Sequence, residues 1–141
     1  GAELHPEVAR RHRDHLVEKS MASSLTATGL GPWLRERGID TLTVVGYMTH
    51  NCDDATVRQA MHEGWKVELL HDAAGSLPYA NSLGTATAEE IHRVFTIVMH
   101  TGFAAVVSTG EWLKALASGE ALEADNVFLS NQRALAGRGT P

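Results

Sequence analysis

Cys52 is the only cysteine in the chain, set in the run Gly46-Tyr47-Met48-Thr49-His50-Asn51-Cys52-Asp53-Asp54. The run lies where a strand-like segment gives way to a helix-like one. A thiol at the carboxyl end of a strand and the amino end of a helix meets free backbone N–H groups and the positive end of the helix dipole. Both favour the thiolate. The same N–H groups can hold an oxyanion that develops beside the sulfur. The chemistry such a position permits is nucleophilic attack on a carbonyl carbon, with a covalent intermediate. Asp53 and Asp54 work against it, because carboxylates next to a thiolate oppose its ionisation. A nucleophilic Cys52 therefore calls for a nearby cation. His50 and His71 are local alternatives, either of which could serve as base to the thiol. The plain alternative is that Cys52 is a small buried apolar residue.

The elements that must position this run read clearly on either side of it. Residues 41–47 are apolar and β-branched, the mark of a strand buried on both faces. A helix is expected over 53–63, with Val57, Ala60 and Met61 on its apolar face and Gly64 ending it. A second buried strand is expected over 65–70, closing at Asp72. Strand, helix and strand in this order form a parallel, right-handed unit, with sites at the carboxyl ends of its strands. Upstream, 1–13 reads as a loose lead-in, 14–18 as a short strand and 20–27 as a loop. Thr28 is the expected cap of a helix that runs to Arg37. Downstream, 73–84 reads as a site-lining loop, and Thr87 with Glu90 as a capping box. The helix it opens carries Ile91, Val94, Phe95, Val98 and Met99. A third strand follows at 103–107, then a helix over 111–117 that points Trp112, Leu113 and Leu116 inward. Beyond Gly119 a polar tail is expected, with Val127, Phe128 and Leu129 as a contact patch.

Bulk properties narrow the class. The chain has 141 residues, 43% hydrophobic, enough for one domain with a real core. A net charge of −5 without a basic run gives no footing for nucleic acid or an anionic membrane. A lone cysteine rules out an internal disulfide framework and fits a reducing compartment, so a cytoplasmic location is expected. No apolar run is long enough to span a bilayer. Eight histidines are scattered without paired metal-ligand spacing.

The central stretch resembles the cysteine hydrolases of the isochorismatase-like family, which include nicotinamidases, N-carbamoyl amidases and streptothricin hydrolases. The family pattern Gly-x-x-Thr-x-x-Cys stands here as Gly46, Thr49 and Cys52, followed by Thr56, Arg58, Ala60, Gly64-Trp65 and Asp72-Ala73. A second block, Lys19, Ser23-Ser24-Leu25, Thr28 and Leu30, keeps the order of the family's lysine segment. The resemblance implies a three-layer α/β/α fold, Rossmann-like, around a parallel sheet. It also implies hydrolysis of a C–N bond, amide or related, in a small molecule through a thioester at Cys52. Lys19 would be the catalytic cation, and the backbone N–H groups of Met48 and Cys52 the oxyanion donors, with a cis peptide just before Met48. Leu25, Tyr47 and His50 would line the substrate pocket, near Trp65, Pro78 and Tyr79.

Two departures bear on the pocket: Asp53 stands where the family has valine, and Leu25 where it has phenylalanine. A third is larger. The family's proton-shuttling aspartate lies on a first strand ahead of the lysine, and no residue here matches it. The expectation is that residues 1–141 are one domain, the carboxyl-terminal portion of an isochorismatase-like hydrolase without its N-terminal strand. The missing piece would come from further sequence or from a separate chain. No cofactor is expected and no metal ligand is assigned; metal-binding relatives use an Asp/His group upstream of this stretch, and no residue here replaces it, which leaves metal use open. A homo-oligomer is expected. The competing readings are a non-catalytic or truncated interaction module that keeps the fold, and an isochorismate-type vinyl ether hydrolase.

Overall fold

The computed structural model describes residues 3–137. In chain order the elements are α1 (Pro6–Ala9), α2 (Leu30–Glu36), β1 (Thr41–Tyr47), a π-helical turn (Thr49–Asp53), α3 (Asp54–His62) and β2 (Lys66–Gly75). There follow β3 (Tyr79–Asn81), β4 (Gly84–Ala86), α4 (Ala88–His100), β5 (Ala105–Val107), α5 (Thr109–Ser118) and α6 (Val127–Ala136).

The three main strands form a parallel sheet in the order β1-β2-β5. This order steps one way, so right-handed crossovers put α3 and α4 on the same face. There Val57 and Ala60 of α3 and Met99 of α4 close over Val67 and Leu69 of β2, with Leu25 and Leu34 at the margin. Leu69, Met99 and Val57 are fully enclosed. Each such side chain contributes about 2 kcal/mol by leaving water. The opposite face carries α5, whose Trp112 indole donates to Glu68 Oε2 at 2.9 Å and to Thr43 Oγ1 at 3.2 Å. The chain is thus an α/β/α sandwich around a parallel sheet, as its strand–helix alternation requires.

Several local expectations need correcting. Residues 14–18 are not a strand, since nothing among the described residues pairs with them, and Leu16 lies open to solvent. A strand exists only through a partner; this segment is tied down instead by His15, stacked on Trp33 at 4.5 Å. Within the lead-in, α1 forms one short turn. The helix after Thr28 begins only at Leu30, with left-handed Gly29 between them as cap. β1 occupies the expected residues but is not buried on both faces: Val45 and Tyr47 are more than half exposed. It is an edge strand, and on its outer face α5 reaches only as far as Thr43.

β2 runs past Asp72 to Gly75, because Ala74 and Gly75 pair with Gly46 and Tyr47 across a bulge. The small residues permit this, and the Tyr47 ring lies against Gly75. His71 and Asp72 therefore sit in the bulged part of the strand rather than at its end. The loop expected over 73–84 gives way to the antiparallel hairpin β3–β4. On α5, Leu113 and Leu116 face solvent and only Trp112 turns inward. The polar tail contains α6, opened by Asn126, whose side chain accepts from the N–H groups of Phe128 and Leu129. The capping box of α4 forms as expected, Thr87 with Glu90. A second one opens α5, Ser108 with Glu111.

Candidate active site

The site forms where β1 ends. Gly46 adopts φ 140, open chiefly to glycine, and the carboxylate Oδ1 of Asp53 lies 3.4 Å from where a Cβ would stand. The peptide between Tyr47 and Met48 is cis, as the resemblance implied. The chain then folds back on itself: the Met48 carbonyl accepts from the N–H groups of Asn51 (3.0 Å) and Asp53 (3.2 Å). Cys52 thus sits inside a π-helical turn ahead of α3, not at the first residue of an α-helix. The expected junction is there, one turn looser than the sequence indicates.

Lys19 approaches this turn from the irregular segment before α2. Its ammonium has three N–H donors. They reach the carbonyls of Met21 (3.1 Å) and Ala22 (2.9 Å) and the sulfur of Cys52 (3.3 Å). Every donor is engaged, so the cation has one orientation, with one N–H on the sulfur. α3 holds this segment in place. The hydroxyl of Thr56 donates to the Cys52 carbonyl at 2.7 Å and accepts from Ser24 N–H at 3.0 Å, and Thr26 bonds to Gln59 at 2.8 Å. The threonine read as part of the motif therefore ties the lysine segment to the cysteine turn.

Asp53 is almost wholly enclosed, and its Oδ2 has no hydrogen-bond partner among the described residues. Burial pushes this carboxyl above its ordinary range, and the Lys19 charge pulls it part of the way back. A carboxyl raised in the folded state stabilises the fold while protonated and loses that contribution as pH climbs through its folded value. Asp53→Asn should therefore unfold at a higher temperature than the parent at neutral pH, and the gain should shrink as pH falls towards about 4. Thermal unfolding across that range checks it; a constant difference would show that ionisation of Asp53 plays no part.

A wall of polar and aromatic groups stands beside the turn. His50 Nδ1 is 3.0 Å from Ser76 Oγ, its Nε2 is 2.7 Å from the Tyr79 hydroxyl, and its ring meets Phe95 edge-on at 6.0 Å. Tyr79 comes from the hairpin and also reaches the Met48 sulfur at 3.9 Å. Both His50 nitrogens face these hydroxyls, and among the described residues no hydrogen bond joins the ring to Cys52. His71 lines a separate hollow with Ile97 and His100, and no contact joins it to Cys52 among the described residues. Tyr47 is exposed, on Gly75.

Leu25 is buried in the main core beside Gly31. Trp65 belongs to the core too: its indole donates to the Ile39 carbonyl at 3.0 Å and Arg35 lies over its ring. It directly precedes β2, at the sheet's other end from the cysteine. Asp72 accepts from the backbone and hydroxyl of Thr109, both at 2.8 Å, and those bonds hold its carboxyl below the usual range. It is a latch between β2 and α5.

One feature escaped the sequence reading, the partnership of Thr49 with His92. Thr49 is fully buried and joins the Gly75 carbonyl (2.9 Å) to His92 Nδ1 (2.8 Å). The signal for His92 was its place on the inward stripe of α4, three residues before Phe95 and seven before Met99. Among the described residues no three histidine, cysteine or acidic side chains gather as a metal cluster. Nor is any helix there long and apolar enough to cross a membrane.

Residues 1–111 match the Isochorismatase domain. The chain is 32% identical over 114 residues to the isochorismatase family protein YddQ of Bacillus subtilis, an alignment covering 81% of this chain and 63% of that protein. It is 40% identical over 73 residues to a streptothricin hydrolase of Streptomyces noursei, covering 52% of this chain and 26% of the enzyme. A crystal structure described as an isochorismatase, from Burkholderia xenovorans, superposes with a TM-score of 0.96 at 58% identity. It covers 99% of this chain and 67% of its own. The chain thus spans less than two thirds of the length of both named relatives.

Proposed function

The chain belongs to the isochorismatase family of hydrolases, and from that premise we propose that it carries the nucleophile of a cysteine hydrolase acting on a C–N bond, amide or related, in a small molecule. The observation that carries this reading is the Lys19 ammonium 3.3 Å from the Cys52 sulfur, with its two other N–H groups committed to backbone carbonyls. A cation so placed offsets the charge that Asp53 and Asp54 would bring to bear on a thiolate.

In this mechanism the sulfur attacks the carbonyl carbon and the oxygen becomes an oxyanion. The backbone N–H groups of Met48 and Cys52 receive it, fixed before the reaction begins. The C–N bond breaks, the nitrogen leaves with a proton, and the acyl group remains on sulfur as a thioester. Water then cleaves the thioester, giving the acid and restoring the thiol. The resemblance assigns the proton transfers to an aspartate upstream of this stretch. His50, Tyr79 and Tyr47 form the wall that the substrate meets. A neighbouring relative named for hydrolysis of streptothricin supports the hydrolytic class.

The test is turnover on a panel of small primary amides and N-carbamoyl amines, before and after alkylation with iodoacetamide. Turnover lost in step with modification of Cys52 is the expected result. Turnover that survives complete modification would remove the thioester from the account.

A further inference from the structure

The Thr49 hydroxyl has one proton and two close neighbours, the Gly75 carbonyl at 2.9 Å and His92 Nδ1 at 2.8 Å. A carbonyl can only accept. If the hydroxyl proton went to His92, a hydroxyl lone pair would face the Gly75 oxygen inside a fully buried site. Both contacts are satisfied only when Thr49 donates to Gly75 and His92 donates to Thr49, which puts a proton on Nδ1. The chain of bonds then runs from α4 through Thr49 to the end of β2. Thr49 is the first residue of the cysteine turn and directly follows Met48. Phe95, one helical step further along α4, meets His50 in the same turn at 6.0 Å.

We propose that His92 is a positioning residue: its Nδ1–H, acting through Thr49, fixes the turn that presents the Met48 and Cys52 N–H groups to the substrate. The catalytic part of this inference rests on the hydrolase reading. The structural part does not. His92 touches neither Cys52 nor Lys19, so its effect is on geometry, where a displacement of about 1 Å can cost a hundred-fold in rate. A side chain with an N–H at the Nδ1 position should suffice. Asparagine places its amide nitrogen there, glutamine places one at the Nε2 position, and leucine offers none.

The experiment compares the parent with His92→Asn, His92→Gln and His92→Leu. Nitrogen-15 NMR of the neutral parent ring should show the proton on Nδ1 and none on Nε2. Hydrogen exchange at the amides of residues 49–53 should quicken about ten-fold or more in the Leu and Gln variants and stay near the parent in Asn. On any amide that the parent hydrolyses, kcat should fall about a hundred-fold in Leu and Gln with KM unchanged, and recover in Asn. A proton found on Nε2, or equal exchange in all three variants, would overturn the proposal. Should the parent hydrolyse none of the amides, the hydrolase reading fails, while the tautomer and the exchange rates still decide the role of His92.

Discussion

Cys52→Ala should abolish turnover, by about ten-thousand-fold or more, while leaving the protein folded. The size follows from chemistry: without the sulfur there is no covalent route, and what persists is only the help that a preformed oxyanion pocket gives to water. The fold should persist because the turn is built from backbone. Its bonds are Asn51 and Asp53 N–H to the Met48 carbonyl, and the Thr56 hydroxyl to the Cys52 carbonyl. None involves the thiol. The side chain is half-buried and, among the described residues, its polar side-chain contact is with Lys19. Unfolding curves that superpose on the parent, together with lost turnover, are the expected pair. A variant that keeps even a tenth of the parent rate would mean that the sulfur is packing, not chemistry.

Lys19→Met should lower turnover by about a hundred- to a thousand-fold. Methionine keeps the length and the apolar stem but removes the charge that faces the sulfur. The two carbonyls it leaves, Met21 and Ala22, belong to an irregular segment next to the exposed lysine and can turn to water, so little stability is lost. Alkylation by a neutral reagent should also slow at neutral pH, because the positive charge that faces the sulfur beside Asp53 and Asp54 is gone. Lys19→Arg should not restore the rate. A planar guanidinium cannot send one N–H to a sulfur and two to carbonyls that were placed around a tetrahedral ammonium. Parent-like turnover in Lys19→Met would show that the 3.3 Å contact does not set the reactivity of the thiol.

Much of the frame was legible because it depends on local rules. The β-branched run over Thr41–Tyr47 forms the strand it spells, and Thr87 with Glu90 opens α4 as a capping box. What lay beyond reach depends on partners distant in sequence. Nothing within β1 says that Val45 and Tyr47 face solvent, since that depends on which elements cover them. The extension of β2 through Ala73-Ala74-Gly75 is decided by pairing with Gly46 and Tyr47, across a bulge that has no local signature. α6 was hidden by its apolar triplet, which drew attention from the asparagine cap before it.

At the site, the spacing of Gly46, Thr49 and Cys52 identified the turn, and the lysine block pointed to the residue that meets the sulfur. The aromatic residues were harder. Trp65 and Tyr79 look alike as pocket-lining residues in sequence, yet one is core just before β2 and the other stands over His50. A histidine on a helical stripe reads as packing until its partner is known. Thr49, forty-three residues earlier, is that partner for His92.

The most direct test of the central claim is the intact mass of the protein quenched by acid during turnover of an amide that it hydrolyses. The account predicts a population heavier by the mass of the acyl group. That group should sit on Cys52 in the peptide map, be released by hydroxylamine, and be absent from Cys52→Ala. Hydrolysis that proceeds at the parent rate in Cys52→Ala, with no acylated species at any quench time, would contradict the thioester and with it the role given to Cys52.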